Sequence, residues 1–270
     1  MWTTLAMTAA LAFAPAQGGL SLTNVRPTYG LLGATRKDAD DLKLLAGDLI
    51  FISFDIEGLK VAPDGEVKYG MSMEVTNNKD NKVLFKKEPE EQTAYNVLGT
   101  SRVPAFAATE IGTDTPPGEY TLTATVSDRA GKASKKLSKK FTVLPKAFGL
   151  VRLQLTYTND PRNPLPAPPI AIPGQTLLIN SHAIGFERDK TTKQPNVVAS
   201  MRVLEDGKPT LPKDTVGNIN KFDEGQSLMP LTFALPLNRA GKFTVELTVT
   251  DKVADKKVTQ SFDITVIEPK

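Results

Sequence analysis

Residues 118–128 read GEYTLTATVSD and residues 241–251 read GKFTVELTVTD. In the first stretch Tyr120, Leu122, Ala124 and Val126 alternate with Glu119, Thr121, Thr123 and Thr125. In the second, Phe243, Val245, Leu247 and Val249 alternate with Lys242, Thr244, Glu246 and Thr248. A period of two sends one set to each face of a β-strand. A strand apolar on one side must dispose of that side against a second sheet, so the pattern predicts two sheets packed face to face.

The match between the two stretches extends outward. Ala46-Gly47-Asp48 followed by LIFISFDIEGL corresponds to Pro173-Gly174-Gln175 followed by TLLINSHAIGF. YGMSMEV (69–75) corresponds to VVASMRV (197–203), and KFTVLP (140–145) to SFDITVIEP (261–269). Each block alternates. Ile50, Ile52, Phe54 and Ile56 share a face, as do Leu177, Ile179, Ser181 and Ala183, with His182 on the opposite side beside Asn180. Tyr69, Met71, Met73 and Val75 form another inward set, matched by Val197, Ala199, Met201 and Val203. The expected fold is all-β, with two tandem immunoglobulin-like β-sandwich domains at 17–145 and 146–270. Their joint, Pro145-Lys146-Ala147, is too short for a flexible tether, which predicts an elongated pair with limited bending and separate cores. No window carries a comparable helical period; KDADDLKLL (37–45) reads either as two helical turns or as an acidic loop.

Composition narrows the function classes. The chain has 270 residues, no cysteine and one histidine, which excludes thiolate chemistry, disulfides, iron–sulfur clusters and cysteine-ligated zinc. The net charge of +3 is small, and it arises in the second half: residues 17–145 hold 17 basic and 17 acidic groups, residues 146–270 hold 16 and 13. That balance gives no footprint for nucleic acid. The apolar run Leu5 to Phe13 followed by Ala14-Pro15-Ala16 reads as a signal peptide over residues 1–16, with cleavage after Ala16 and export to the periplasm or beyond the cell. Nothing later offers a transmembrane stretch. Cleavage would also remove Trp2, the sole tryptophan.

Gly118-Glu119-Tyr120, the strand ending at Asp128, the turn Arg129-Ala130-Gly131-Lys132 and the closing KKFTV together resemble the last hairpin of bacterial immunoglobulin-like and cadherin-like modules. The second copy departs at its turn, Asp251-Lys252-Val253-Ala254-Asp255, which lacks glycine. The mature chain resembles uncharacterised exported proteins of planctomycete-type bacteria that carry such modules. The resemblance implies adhesion, scaffolding or accessory binding, with an envelope protein or polysaccharide as partner.

Several residues invite chemistry. Asp128 and Asp251 read as turn caps or, alternatively, as calcium ligands at a domain end. Asp38, Asp40 and Asp41 form an acidic loop. His182 has the intrinsic pKa of an acid–base group, but no nucleophile or paired carboxylate is nominated for it, and a surface or inter-domain place is expected. Lys132, Lys135, Lys136, Lys139 and Lys140 read as protection of an edge strand or as a contact for an anionic surface. Pro161, Pro164, Pro166, Pro168, Pro169 and Pro173 mark an extended segment that covers a sheet edge or meets a partner. No nucleotide, metalloprotease, EF-hand or hydrolase motif occurs, so no catalytic, cofactor or metal residue is assigned. The expected function is a non-catalytic exported binding or spacer protein; the alternatives are an accessory carbohydrate-binding protein and an unrecognised carboxylate-based hydrolase.

Overall fold

The computed structural model describes residues 19–158, 160 and 163–269. The expected signal peptide and Pro161 lie outside these residues. Seventeen strands and no helix occur among them. The first half contains β1 (Ser21–Pro27), β2 (Lys43–Leu44), β3 (Leu49–Glu57), β4 (Glu66–Asn77), β5 (Val83–Tyr95), β6 (Val103–Glu110), β7 (Gly118–Asp128) and β8 (Ser134–Val143). The second contains β9 (Gly149–Thr156), β10 (Ile170–Ala171), β11 (Thr176–Ile184), β12 (Val197–Glu205), β13 (Lys208–Pro209), β14 (Thr215–Ile219), β15 (Met229–Pro236), β16 (Gly241–Asp251) and β17 (Lys256–Val266).

In the first half a three-stranded sheet, β1-β3-β6, faces a five-stranded sheet, β2-β8-β7-β4-β5. The second half has β15-β11-β9 and β10-β17-β16-β12-β13, with β14 also on β12. Neighbours are antiparallel except β2 on β8 and β10 on β17, which are parallel. These are β-sandwiches. Tyr120 carries an immunoglobulin-like hallmark, because its hydroxyl donates to Pro116 O at 2.9 Å, the corner that ties the start of such a strand to the chain before it.

The alternation read from the sequence assigns the faces. Ile50, Ile52, Phe54, Ile56, Tyr120, Leu122, Ala124 and Val126 are buried in one cluster with Phe141 and Val143. Leu177, Ile179, Ala183, Phe243, Val245, Leu247 and Val249 are buried in another with Phe262 and Ile264. Tyr69 and Met71 pack against the first cluster while only partly buried. Their strand lies beside the exposed edge strand β5, where the sandwich thins. The second cluster also contains Tyr29 and Ala34, which precede the joint by more than a hundred residues. Residues 37–45 form turns and the short strand β2 instead of helical turns. The reason is burial: Leu42 and Leu44 both point inward, a spacing of two that a strand satisfies and a helix does not.

The proline-rich segment crosses between sheets. It leaves β9, bridges back through Pro166 to Thr156, and becomes β10 on the edge of β17. Pro169 O accepts from Thr265 N at 2.8 Å. Proline is tolerated here because the donor the segment needs is supplied by Ala167, whose N–H bonds Leu155 O at 2.9 Å, while Pro169 gives only its carbonyl.

Candidate functional site

The most constructed polar region joins the two halves, and a β-bulge builds it. Along β9 the partners on β11 run Val151↔His182 and then Gln154↔Asn180, so the β9 side carries one extra residue. Arg152 sits in that bulge with φ 56°, in the left-handed region. The added residue keeps Leu150 and Leu153 in the same core although they are three apart. It also turns Arg152 toward the first half. There its backbone N–H donates to Asp48 Oδ1 at 2.7 Å, its Nε to Gly47 O at 2.8 Å and its Nη2 to Glu110 Oε2 at 2.8 Å.

Asp48 is the hub. Its Oδ1 also accepts from Leu49 N at 2.8 Å, and its Oδ2 pairs with Arg36 Nη1 at 3.3 Å. Both Arg36 and Asp48 are buried. Arg36 lies 4.8 Å from the centre of the Tyr29 ring and also pairs with Asp38 at 3.2 Å. Burial opposes the Arg36 charge, but Asp48 and Asp38 outweigh it and raise its pKa. Burial likewise raises the Tyr29 phenol.

Close backbone approach completes the seam. A Cβ on Gly149 would lie 2.3 Å from Leu45 Cδ1, one on Gly47 2.8 Å from Ile184 Cδ1. Beside this contact a cavity of about 270 Å³ is lined by Leu45, Thr113, Asp114, Lys146, Ile184 and Ser227. A second, about 390 Å³, opens in the second half over Met201, Leu211, Lys213, Leu235, Arg239 and Phe243. Neither lining brings two carboxylates together.

The first half carries the same bulge with different contents. Asn24 (φ 49°) occupies the equivalent place on β1, where the register slips between Thr23 and Arg26. Asp55 on β3 then corresponds to His182 on β11. Asp55 is enclosed: Asn24 Nδ2 donates to it and Arg102 pairs with it at 2.6 Å. Its burial favours the neutral acid, but the hydrogen bonds from Asn24 and Arg102 prevail and lower its pKa. His182 has Arg152 for a neighbour instead. Burial lowers the pKa of its imidazole and the Arg152 charge adds to this, against a smaller opposing pull from Glu110. His182 Nδ1 is buried without a hydrogen-bond partner among the described residues. The single histidine therefore lies between the halves, on the face opposite the core.

The paired aspartates act as turn caps. Asp128 Oδ1 accepts from Ala130 N at 3.0 Å and its Oδ2 from Lys60 N at 3.1 Å. Asp251 Oδ1 accepts from Val253 N and Ala254 N, and its Oδ2 from Glu187 N at 2.7 Å. In each half one buried carboxylate thus ties the last hairpin to the loop after the third or eleventh strand. Lys135, Lys136, Lys139 and Lys140 lie along β8, with Lys132 in the turn before it; the outer edge of β8 is covered by β2 only at Thr142 and Val143. Lys135 and Lys139 share the inward parity of Leu137 and Phe141, and inward-pointing charge at an open edge blocks pairing with another sheet. Asp38 accepts from Arg36 Nε and Lys43 N, which holds the acidic loop against β2.

Sequence reasoning did not find Arg152, Asp48, Arg36 or Tyr29. A positive φ at arginine has no composition signal, and partners more than a hundred residues apart leave no local pattern.

No family model matches the chain. No curated protein matches it either. Among solved structures, a family 123 glycoside hydrolase from Clostridium perfringens aligns over 48% of this chain and 28% of its own, at 12% identity and a TM-score of 0.33. A red sea bream transglutaminase aligns over 93% and 31%, at 10% identity and 0.30. A trypsin-activated α-2-macroglobulin from Escherichia coli aligns over 92% and 16%, at 12% identity and 0.31. The chain spans less than a third of the length of each, and likenesses of this size carry no functional argument.

Proposed function

We propose that the chain is a non-catalytic exported protein of the cell envelope that binds or spaces other components, built from two copies of one immunoglobulin-like sandwich held as a stiff tandem. The matched strand orders and the shared bulge support the two-copy reading. The observation that carries the spacer role is the clasp at Arg152, which commits backbone, guanidinium and two carboxylates to the joint. A flexible tether would leave these groups to water. Asp128, Asp251, Asp38 and the β8 lysines are likewise spent on turns and edges. An accessory sugar-binding role would call for aromatic rings in a line; Phe106 instead stacks on Phe51 at 4.8 Å, and Tyr95 stands at the end of β5.

The test uses the absence of native cysteine. Spin labels on Lys136→Cys and Lys257→Cys place one probe on an exposed strand position of each sandwich. A single narrow distance distribution is expected. A broad one, spanning many ångströms, would refute the spacer.

A further inference from the structure

The pole of the first sandwich farthest from the seam presents an apolar tip that the fold of the chain does not use. Three loops meet there: residues 58–65 after β3, residues 96–102 after β5 and residues 129–133 after β7. They are tied together, since Asn96 N donates to Gly65 O at 2.9 Å, Lys60 N to Asp128 Oδ2 at 3.1 Å and Arg129 N to Lys68 O at 3.2 Å. Within the middle loop Gly99 N donates to Asn96 O at 3.0 Å, which closes a turn with Val97 and Leu98 at its two corners. Asn96 Nδ2 then secures Thr100 O at 2.9 Å. Turn corners ordinarily take proline, glycine, asparagine or aspartate. Here two aliphatic side chains stand on a hydrogen-bonded turn, 81% and 97% exposed, next to Tyr95 at 62%.

The loops themselves are basic, while at their edges Glu57 ends β3 and Glu66, opposite Tyr95, pairs with Lys68 at 3.1 Å. The three loops carry Lys60, Arg102, Arg129 and Lys132 against a single carboxylate, Asp64. Arg102 and Arg129 have acidic partners, whereas Lys60 and Lys132 form no ion pair among the described residues. The described chain also begins at this pole, because Ser21 pairs with Glu57 at the end of β3.

From this we infer that the free pole of the first sandwich docks on an anionic lipid surface, with Val97 and Leu98 entering the interface, Tyr95 at headgroup level and the loop cations facing lipid phosphates. The shape favours lipid over a protein partner. A convex tip needs a matching pocket on a folded partner, but a bilayer interface yields to any apolar wedge, and tyrosine prefers that depth. Anionic headgroups supply the countercharge for Lys60 and Lys132. The inference stands on the pole alone and is independent of the spacer role.

The experiment uses the chain from Gln17 to Lys270, which retains every described residue and lacks the apolar run before it. Co-sedimentation is measured with phosphatidylcholine vesicles and with vesicles containing about 30% phosphatidylglycerol, in low salt and about 0.3 M salt. Binding is expected only to the anionic vesicles, and it should weaken in salt. Val97→Ser with Leu98→Ser should reduce it about tenfold or more, and Lys60→Glu or Lys132→Glu about fivefold each. The tip is exposed, so these variants should melt as wild type does. Because this chain has no tryptophan, Leu98→Trp supplies a unique fluorophore whose emission should shift to the blue on anionic vesicles alone. Absence of binding to anionic vesicles, binding indifferent to the tip substitutions, or an unshifted Leu98→Trp emission would each overturn the inference; the last two would move the contact to another surface.

Discussion

The backbone N–H of Arg152 donates to Asp48 Oδ1 at 2.7 Å, across 104 residues of sequence and across the joint between the sandwiches. The bond comes from the main chain of a bulge, so the side chain can change without removing it. Replacing Arg152 by alanine therefore separates two effects. Arg152→Ala retains the Asp48 bond and loses those to Gly47 and Glu110, and the label distances across the joint should broaden while each sandwich stays folded. Arg152→Gly relaxes the positive φ as well; it should match the alanine variant in distance and exceed it in melting temperature.

Removal of Asp48 is the harsher change. Asp48→Ala leaves the buried Arg36 guanidinium with Asp38 as its sole carboxylate partner among the described residues and removes the acceptor of two backbone N–H groups. Breaking a buried pair in this way costs about 3–5 kcal/mol. Denaturant unfolding should show a loss of that size, whereas Asp41→Ala, at an exposed ion pair with Lys43, should fall within about 0.5 kcal/mol.

Tyr29 lies in the first half and packs in the core of the second. Hydrogen exchange on Tyr29→Ala should therefore show reduced protection in β9 and β11, with β4 and β7 unchanged. Loss confined to the first half would mean that its ring belongs to the first core.

The pKa of His182 is lowered in the folded chain, so below its ordinary value near 6.5 the unfolded chain takes up a proton that the native chain resists. Native stability contributed by the neutral imidazole is complete above that value and is lost as pH falls through it. Melting temperature of wild type should drop between pH 7.5 and 5.5, and His182→Asn should flatten that part of the profile. There is one histidine in the chain, so the difference between the two curves reports this site. An identical slope in the variant would remove His182 from the account.

The corner residues of the two copies predict unequal costs. Tyr120→Phe loses the bond to Pro116 O, worth about 1 kcal/mol. The second half has Phe243 at the matching place on β16. Phe243 is covered by Arg239, 4.8 Å from the ring centre and paired to Glu205 at 2.7 Å. Arg239→Ala should lower the denaturant midpoint only slightly, and Phe243→Ala should cost about 3–5 kcal/mol, both read at constant slope.

What the sequence revealed and what it concealed divide along range. Alternation is a local property, so the burial of Ile50 to Ile56, Tyr120 to Val126 and Phe243 to Val249 could be read directly. The turn aspartates could be read for the same reason. Asp55 and His182 could be aligned from the repeat, but their different surroundings could not, since these depend on whether the bulge beside them holds Asn24 or Arg152. The seam was illegible because its parts lie in β9, the loop before β3 and the turn after β1. The two short strands β2 and β10 were hidden in stretches dominated by acid or proline, where two residues are too few to show a period.

Those two strands bear on how the described residues would answer a pull from either end. The described residues begin at the pole where Ser21 pairs with Glu57 and end at the pole where Val266 pairs with Gly241. Tension along that line loads β1 against β3 and β9 against β11 first, and once these slide it draws β2 and β8, and likewise β10 and β17, past each other lengthwise. In the first pair the bonds Thr142 N to Leu42 O and Leu144 N to Leu44 O lie across the direction of force; in the second, Thr265 N to Pro169 O and Ile267 N to Ala171 O do the same. Bonds so placed must give way together instead of opening one by one. Two short parallel ladders thus stand as a second stop in series under stretching, behind the antiparallel pairs of β1 and β9.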